Sequence, residues 1–203
     1  LVNIFKYFMK KKILFIKASN IDVRTGKFIK FLSEYDYELF FLGWNRMNLT
    51  QKSYSSTNIT WLLHNTPKKK LFLLLSYIMW MVKLFFYLIK NCKNYDYIYC
   101  IDFECAFVTY IVCRLLNKQY YYDIFDEFSI RYKFPKLIKI FFKKIDEIIK
   151  NNSLCVIHVD QNRVSLSDKN YIIIQNTPND YYCNNFVYKT PRLKIAITGW
   201  LVE

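Results

Sequence analysis

Glycine and proline are scarce in this chain, at 3 and 4 of 203 residues. So few turn formers argue against a loop-rich or low-complexity protein and for regular elements with modest connections. No G-x-G-x-x-G follows an apolar run, so the usual dinucleotide-binding turn is poorly supported, and no P-loop is present. G-x-S-x-G is absent too, which leaves a Ser-His-Asp triad without its nucleophile elbow. Histidine is limited to His64 and His158. Neither stands at metal-ligand spacing from a cysteine, and the 6 cysteines contain no C-x-x-C pair. No metal site and no resident cofactor are expected. Acidic residues are outnumbered, 16 against 30 Lys and Arg, for a formal charge of +14. That balance favours anionic partners. Yet no helix-turn-helix, RNP or zinc-finger pattern accompanies it, so nucleic acid is not an expected partner. Lys, Asn, Ile, Tyr and Phe recur in core-like and surface-like stretches alike, so a general compositional bias accounts for part of the charge.

What is present is apolar sequence in short runs. Hydrophobic residues make up 53% of the chain, enough for one sizeable domain with a real core. Strand-like runs occupy 13–17, 37–42, 59–64, 95–101, 119–124, 154–159 and 170–174, and a further one begins at 193. Helical spacing marks 27–35, 105–116 and 134–150, the last with Phe141, Phe142, Ile145, Ile148 and Ile149 three and four apart between lysines. The strands are continuous apolar runs rather than alternating ones. Strands of that kind, separated by helices, predict an α/β fold: a Rossmann-like, doubly wound, mostly parallel sheet with helices on both faces. Cys100 and Cys155 fall inside apolar runs as small hydrophobes, which with the missing pair motifs points to reduced thiols and a cytoplasmic protein.

Residues 71–89 allow three readings. Nineteen residues with one internal charge, Lys83, are long enough to span a hydrocarbon core. A charge well inside a span costs roughly 2.5–3.5 kcal/mol, however, and strand and helix patterns flank the segment on both sides. A helix buried against a sheet, or one lying in a membrane interface, is equally apolar. With the lysines around it and on 136–144, the segment suggests a peripheral seat on an anionic surface, the inner face of the cell membrane; a non-enzymatic protein anchored through 71–89 is the alternative.

The candidate chemistry lies where strands stop. Asp102 and Glu104 follow the fourth strand, and Asp123, Asp126 and Glu127 close the fifth and its exit. In an open parallel sheet those exits line the ligand crevice. Carboxylates there accept hydrogen bonds from hydroxyls or carry a catalytic proton; capping of the next helix explains any single one of them equally well. Asp22, Arg24, Gly26 and Lys27 follow the first strand, in a stretch, 18–26, that reads as a loop. A helix N-terminus after it favours anions.

Taken together and in order, ILFIKAS, DVRTGK, LSEYDYELFFLGWNR, YDYIYCIDFE, YYYDIFDEFS, DEIIKNNSLCVIHVDQNR, YIIIQNTPND and LKIAITGWL resemble the N-terminal half of GT-B glycosyltransferases of the family 4 type, as found among bacterial surface-polysaccharide enzymes. The resemblance covers about 12–203 and rests on ordered weak motifs; Ala18, Ser19 and Asn20 stand where the family has a Gly-Gly. It implies a chain organised as an N-terminal extension, 1–11, an acceptor-binding Rossmann-like domain, 12–190, and an interdomain linker with the first strand of a second domain, 191–203. It further implies transfer of a sugar from a nucleotide-sugar donor to a glycan or lipid-linked acceptor, with the donor held by a second domain, so that this stretch alone is expected to be inactive. By the same resemblance Asp102, Asp126 and Glu127 are the candidate catalytic carboxylates, and Arg24, Gly26, Asn162 and Arg163 line the acceptor cleft.

Overall fold

The computed structural model describes residues 10–48, 57–126, 128, 135–159 and 170–175. Seven strands form one sheet: β1 (Lys11–Lys17), β2 (Tyr37–Asn45), β3 (Thr57–His64), β4 (Tyr97–Ile101), β5 (Tyr121–Ile124), β6 (Cys155–His158) and β7 (Tyr171–Ile173). Every pairing is parallel, and the order is β3-β2-β1-β4-β5-β6-β7. The order runs backwards from β3 to β1 and then forwards from β4. The reversal, between β1 and β4, is the topological switch point at which a doubly wound sheet opens a crevice.

Helices cover both faces, and β1 shows why. Its successive side chains point to opposite sides. Ile13 and Phe15 pack with Ile29 of α1 (Val23–Ser33). Leu14 and Ile16 pack into a larger cluster with α2 (Lys70–Asn91), α3 (Phe103–Leu116) and α4 (Lys136–Asn152). Both faces of β1 are buried, which explains a strand with no polar alternation. Gly43 in β2 is required by close approach: a Cβ there would lie 2.3 Å from the Phe41 ring and 2.6 Å from Trp61.

α1 starts at Val23, inside the stretch that reads as a loop in the sequence. Asp22 is the reason: its Oδ1 accepts from the Thr25 N–H at 2.8 Å and caps the helix. Arg24 and Gly26 therefore belong to the first helical turn.

Residues 71–89 fall within α2, the crossover from β3 to β4. Its apolar stretch is long enough to cross a membrane, with mean hydropathy 2.0 over an 18-residue window. Both ends nevertheless return to one sheet. Trp80, Leu84 and Leu88, each four residues apart, are fully buried against it. The opposite side of the helix is apolar as well and stays exposed, with Leu74 at 58% and Ile78 at 47%. Residues 1–9 of the expected extension and all of 191–203 lie outside the described residues; Lys11 already belongs to β1.

Candidate functional site

Parallel strands deliver all their exits to one edge of the sheet. Around the switch point that edge collects residues from β1, α1, β4 and β5. Lys17, the last residue of β1, is buried, and its ammonium pairs with the Asp22 carboxylate. The same ammonium lies 4.0 Å from the centre of the Phe125 ring, and the Arg24 guanidinium lies 4.9 Å from it. Both cations thus lie within cation–π reach of one ring.

Arg24 reaches across the sheet from α1. Its Nη2 donates to Asp123 Oδ1 at 2.9 Å and its Nη1 to the Ile174 carbonyl at 2.8 Å. The second Asp123 oxygen accepts from the Tyr99 hydroxyl at 2.6 Å. The ion pair is enclosed, with side-chain exposures of 11% for Arg24 and 3% for Asp123. Burial pushes the Asp123 carboxyl up to about 6; the Arg24 charge and the Tyr99 and Arg24 hydrogen bonds oppose the shift without cancelling it. Burial and the Asp123 charge push the Tyr99 phenol upward in turn. Asp22 moves the other way. Burial would raise it, but the Lys17 hydrogen bond and charge, with the Thr25 N–H, hold it below the usual carboxylate range. Asn20 ties the exit of β1 to that of β2: its Nδ2 donates to Asn45 Oδ1 at 2.8 Å, and its Oδ1 accepts from the Arg46 and Met47 N–H groups at 3.0 and 3.1 Å.

Asp102 occupies the turn from β4 into α3. Its backbone is at φ 63°, ψ 163°, a region that is essentially glycine's and costs about 1–3 kcal/mol for an L residue. Three bonds hold it there. Its N–H donates to the Asp123 carbonyl at 3.0 Å, its carbonyl accepts from the Ala106 N–H at 3.1 Å, and its Oδ1 accepts from the Phe125 N–H at 3.2 Å. It stands at the N-cap position of α3, yet its side chain makes no capping bond and is tied instead to the exit of β5. The carboxylate is half-buried, fixed in place and next to the reversal of strand order.

Of the other candidate residues, Asp126 is exposed just beyond β5. Glu104 is buried in the first turn of α3. Gly26 is half-buried in the first turn of α1. Glu127, Asn162 and Arg163 lie outside the described residues. The structure thus gathers Asp102, Asp123 and Arg24 at one edge. Lys17, Tyr99, Phe125 and Asn20 join them without having been singled out in the sequence; the one available signal for Lys17 was a charged residue closing an apolar run. Among the described residues no group of three or more His, Cys, Asp or Glu could hold a metal ion. What the edge offers is fixed carboxylates that can accept from hydroxyls.

No family model matches the chain, and no curated protein matches it. Solved structures do. Sucrose-phosphate synthase from Thermosynechococcus elongatus aligns with a TM-score of 0.54 at 15% identity, over 83% of this chain and 91% of that one. MurG from Acinetobacter baumannii aligns with a TM-score of 0.52 at 10% identity, over 86% of this chain and 47% of that one. The chain has the Rossmann-like α/β fold of GT-B glycosyltransferases. At these identities the likeness is one of fold, and the chain spans about half the length of MurG.

Proposed function

We propose that this chain is the acceptor-binding half of a family 4-like glycosyltransferase, which transfers a sugar from a nucleotide-sugar donor to a glycan or lipid-linked acceptor in cell-surface polysaccharide synthesis. Asp102 carries the reading: a carboxylate held in a costly backbone conformation beside the switch point of a GT-B-like sheet. Strain of that size persists where the surroundings enforce it, and such places cluster at functional sites. In this proposal Asp102 receives the hydrogen bond of the acceptor hydroxyl and takes its proton, with Asp126 and Glu127 as the other candidate carboxylates. Arg24 and Gly26 shape the α1 side of the cleft, Arg24 through its hold on Asp123, and Asn162 and Arg163 complete the rim. The nucleotide-sugar occupies a second domain, where helix dipoles and basic side chains hold its diphosphate without a metal. The protein works in the cytoplasm from a peripheral seat on an anionic membrane.

Saturation-transfer NMR on the chain tests the reading with water-soluble oligosaccharides and with nucleotide sugars as separate ligands. The expected result is saccharide binding weakened at least tenfold by Asp102→Asn, with the fold unchanged, and no binding of nucleotide sugar. Nucleotide-sugar binding in the absence of any saccharide binding would overturn it.

A further inference from the structure

On the other side of the sheet from the Arg24–Asp123 pair, the N-terminal halves of α2, α3 and α4 enclose a groove of about 580 Å³. That volume lies within the usual range for a small-molecule site. Its walls are aliphatic and aromatic, with Phe103, Phe107 and Phe142 deep and Leu74, Ile78 and Phe141 at the mouth; Glu104 is the one carboxylate in the lining. The mouth residues stay exposed, Phe141 to 60% and Leu137 beyond it to 80%. Because all strands are parallel, the starts of α2 and α4 sit at the same edge as Asp102. Exposed lysines mark both starts: Lys68 and Lys69 before α2, and Lys136 and Lys139 in the first turn of α4. At the edge these lysines stand beside the carboxylates of Asp102 and Asp126, and the groove within is dry.

We infer that the groove takes the single hydrocarbon chain of a phosphate-bearing amphiphile drawn from a membrane. The chain runs between α2 and α4, and the phosphate remains at the carboxyl edge among the lysines. Two observations commit the site to this occupant. An aqueous ligand gains little from walls with almost no polar atoms, whereas each buried methylene of a tail gains. Charge complementarity then selects an anionic head, since four exposed lysines and two helix N-termini outweigh the Asp102 and Asp126 carboxylates at that edge. Phe103 and Glu104 line the groove and directly follow Asp102, so whatever is attached to the phosphate comes to the Asp102 carboxylate. In that respect the inference rests on the acceptor reading and narrows it to lipid-linked acceptors.

The test measures binding of farnesyl phosphate and of the five-carbon dimethylallyl phosphate to the chain by calorimetry, below the micelle concentration. Farnesyl phosphate is expected to bind at least tenfold more tightly. Ile78→Asp, and separately Lys136→Glu with Lys139→Glu, are each expected to weaken it at least fivefold while thermal unfolding stays unchanged. Equal affinity for the two phosphates, or farnesyl phosphate binding untouched by Ile78→Asp, would overturn the inference. The ligand carries no sugar, so saccharide binding sensitive to Asp102 can persist when this test fails, and the two readings fall separately.

Discussion

The two sides of the sheet treat the same problem in opposite ways. On the α1 side, the charged groups are paired: Arg24 is bound to Asp123 and Ile174, Asp123 is bound twice, and Lys17 is paired with Asp22. On the side of α2, α3 and α4, apolar groups that would ordinarily be enclosed are left open to solvent along the outer surface of α2 and the start of α4. A buried, hydrogen-bonded ion pair is an internal matter of the fold. A large exposed apolar surface marks a place for something else. Asp102 stands at the boundary between the two, tied by its backbone to Asp123 and followed in sequence by the groove-lining Phe103.

The contrast is broken most severely from the paired side. Arg24→Ala leaves the Asp123 carboxylate buried without its cation and is expected to lower stability by about 3–5 kcal/mol at pH 7.5, read by denaturant unfolding. The loss shrinks at pH 5, where Asp123 is protonated. Trp80→Ala, which empties the fully buried side of α2, is expected to cost a similar ~3–5 kcal/mol.

A pH series on the unmodified chain gives the next largest effect. The folded Asp123 carboxyl titrates at about 6, against an ordinary value of ~3.9. Between those values the folded chain binds this proton more tightly than the unfolded chain does. The stabilisation from this group is therefore complete below pH ~4 and is lost as the pH rises through about 6. The change is on the order of 2–3 kcal/mol, and Asp123→Asn removes it. Asp22, whose carboxyl is held low, has the opposite sign: its stabilisation is present above the ordinary carboxylate range and is lost in acid.

Asp102 offers a smaller and sharper comparison. Asp102→Gly releases the backbone strain that Asp102→Ala keeps, so the glycine variant is expected to be the more stable of the two by about 1–3 kcal/mol. Both lose the bond to the Phe125 N–H, and both are expected to lose saccharide binding. The smallest effect on stability belongs to the open side. Ile78→Asp is expected to stay within ~0.5 kcal/mol of the parent while abolishing flotation with phosphatidylglycerol vesicles. The same helix thus tolerates a charge at Ile78 and not the loss of Trp80.

Much of this architecture was legible in the residues. Uninterrupted runs such as ILFIK and YIYCI announce strands buried on two faces, and their alternation with helical spacing announces a parallel sheet. The strand exits drew attention to Asp102, which the structure brings to one edge with Asp123 and Arg24. Three features were hidden for physical reasons. The early start of α1 depends on the Asp22 side chain turning back onto Thr25, a local choice that competes with a loop. The Arg24–Asp123 pair joins residues 99 positions apart, and nothing local to either names the other. The conformation of Asp102 is imposed by bonds to Asp123, Ala106 and Phe125, whereas the residue itself prefers ordinary backbone regions. For α2, hydropathy reports how apolar a helix is and not which of its sides finds a partner; Trp80, Leu84 and Leu88 found one, and Leu74 and Ile78 did not.

Backbone amide NMR of the labelled chain, titrated with a prenyl-phosphate-linked monosaccharide, addresses the carboxyl edge as the docking place. The shifts are expected to concentrate at 102–104, 123–126 and 74–78, and to collapse at the first two segments in Asp102→Asn. Shifts confined to the opposite edge, around Asn117 and Lys118, or to the α1 face around Tyr97 and Ile172, would contradict the account.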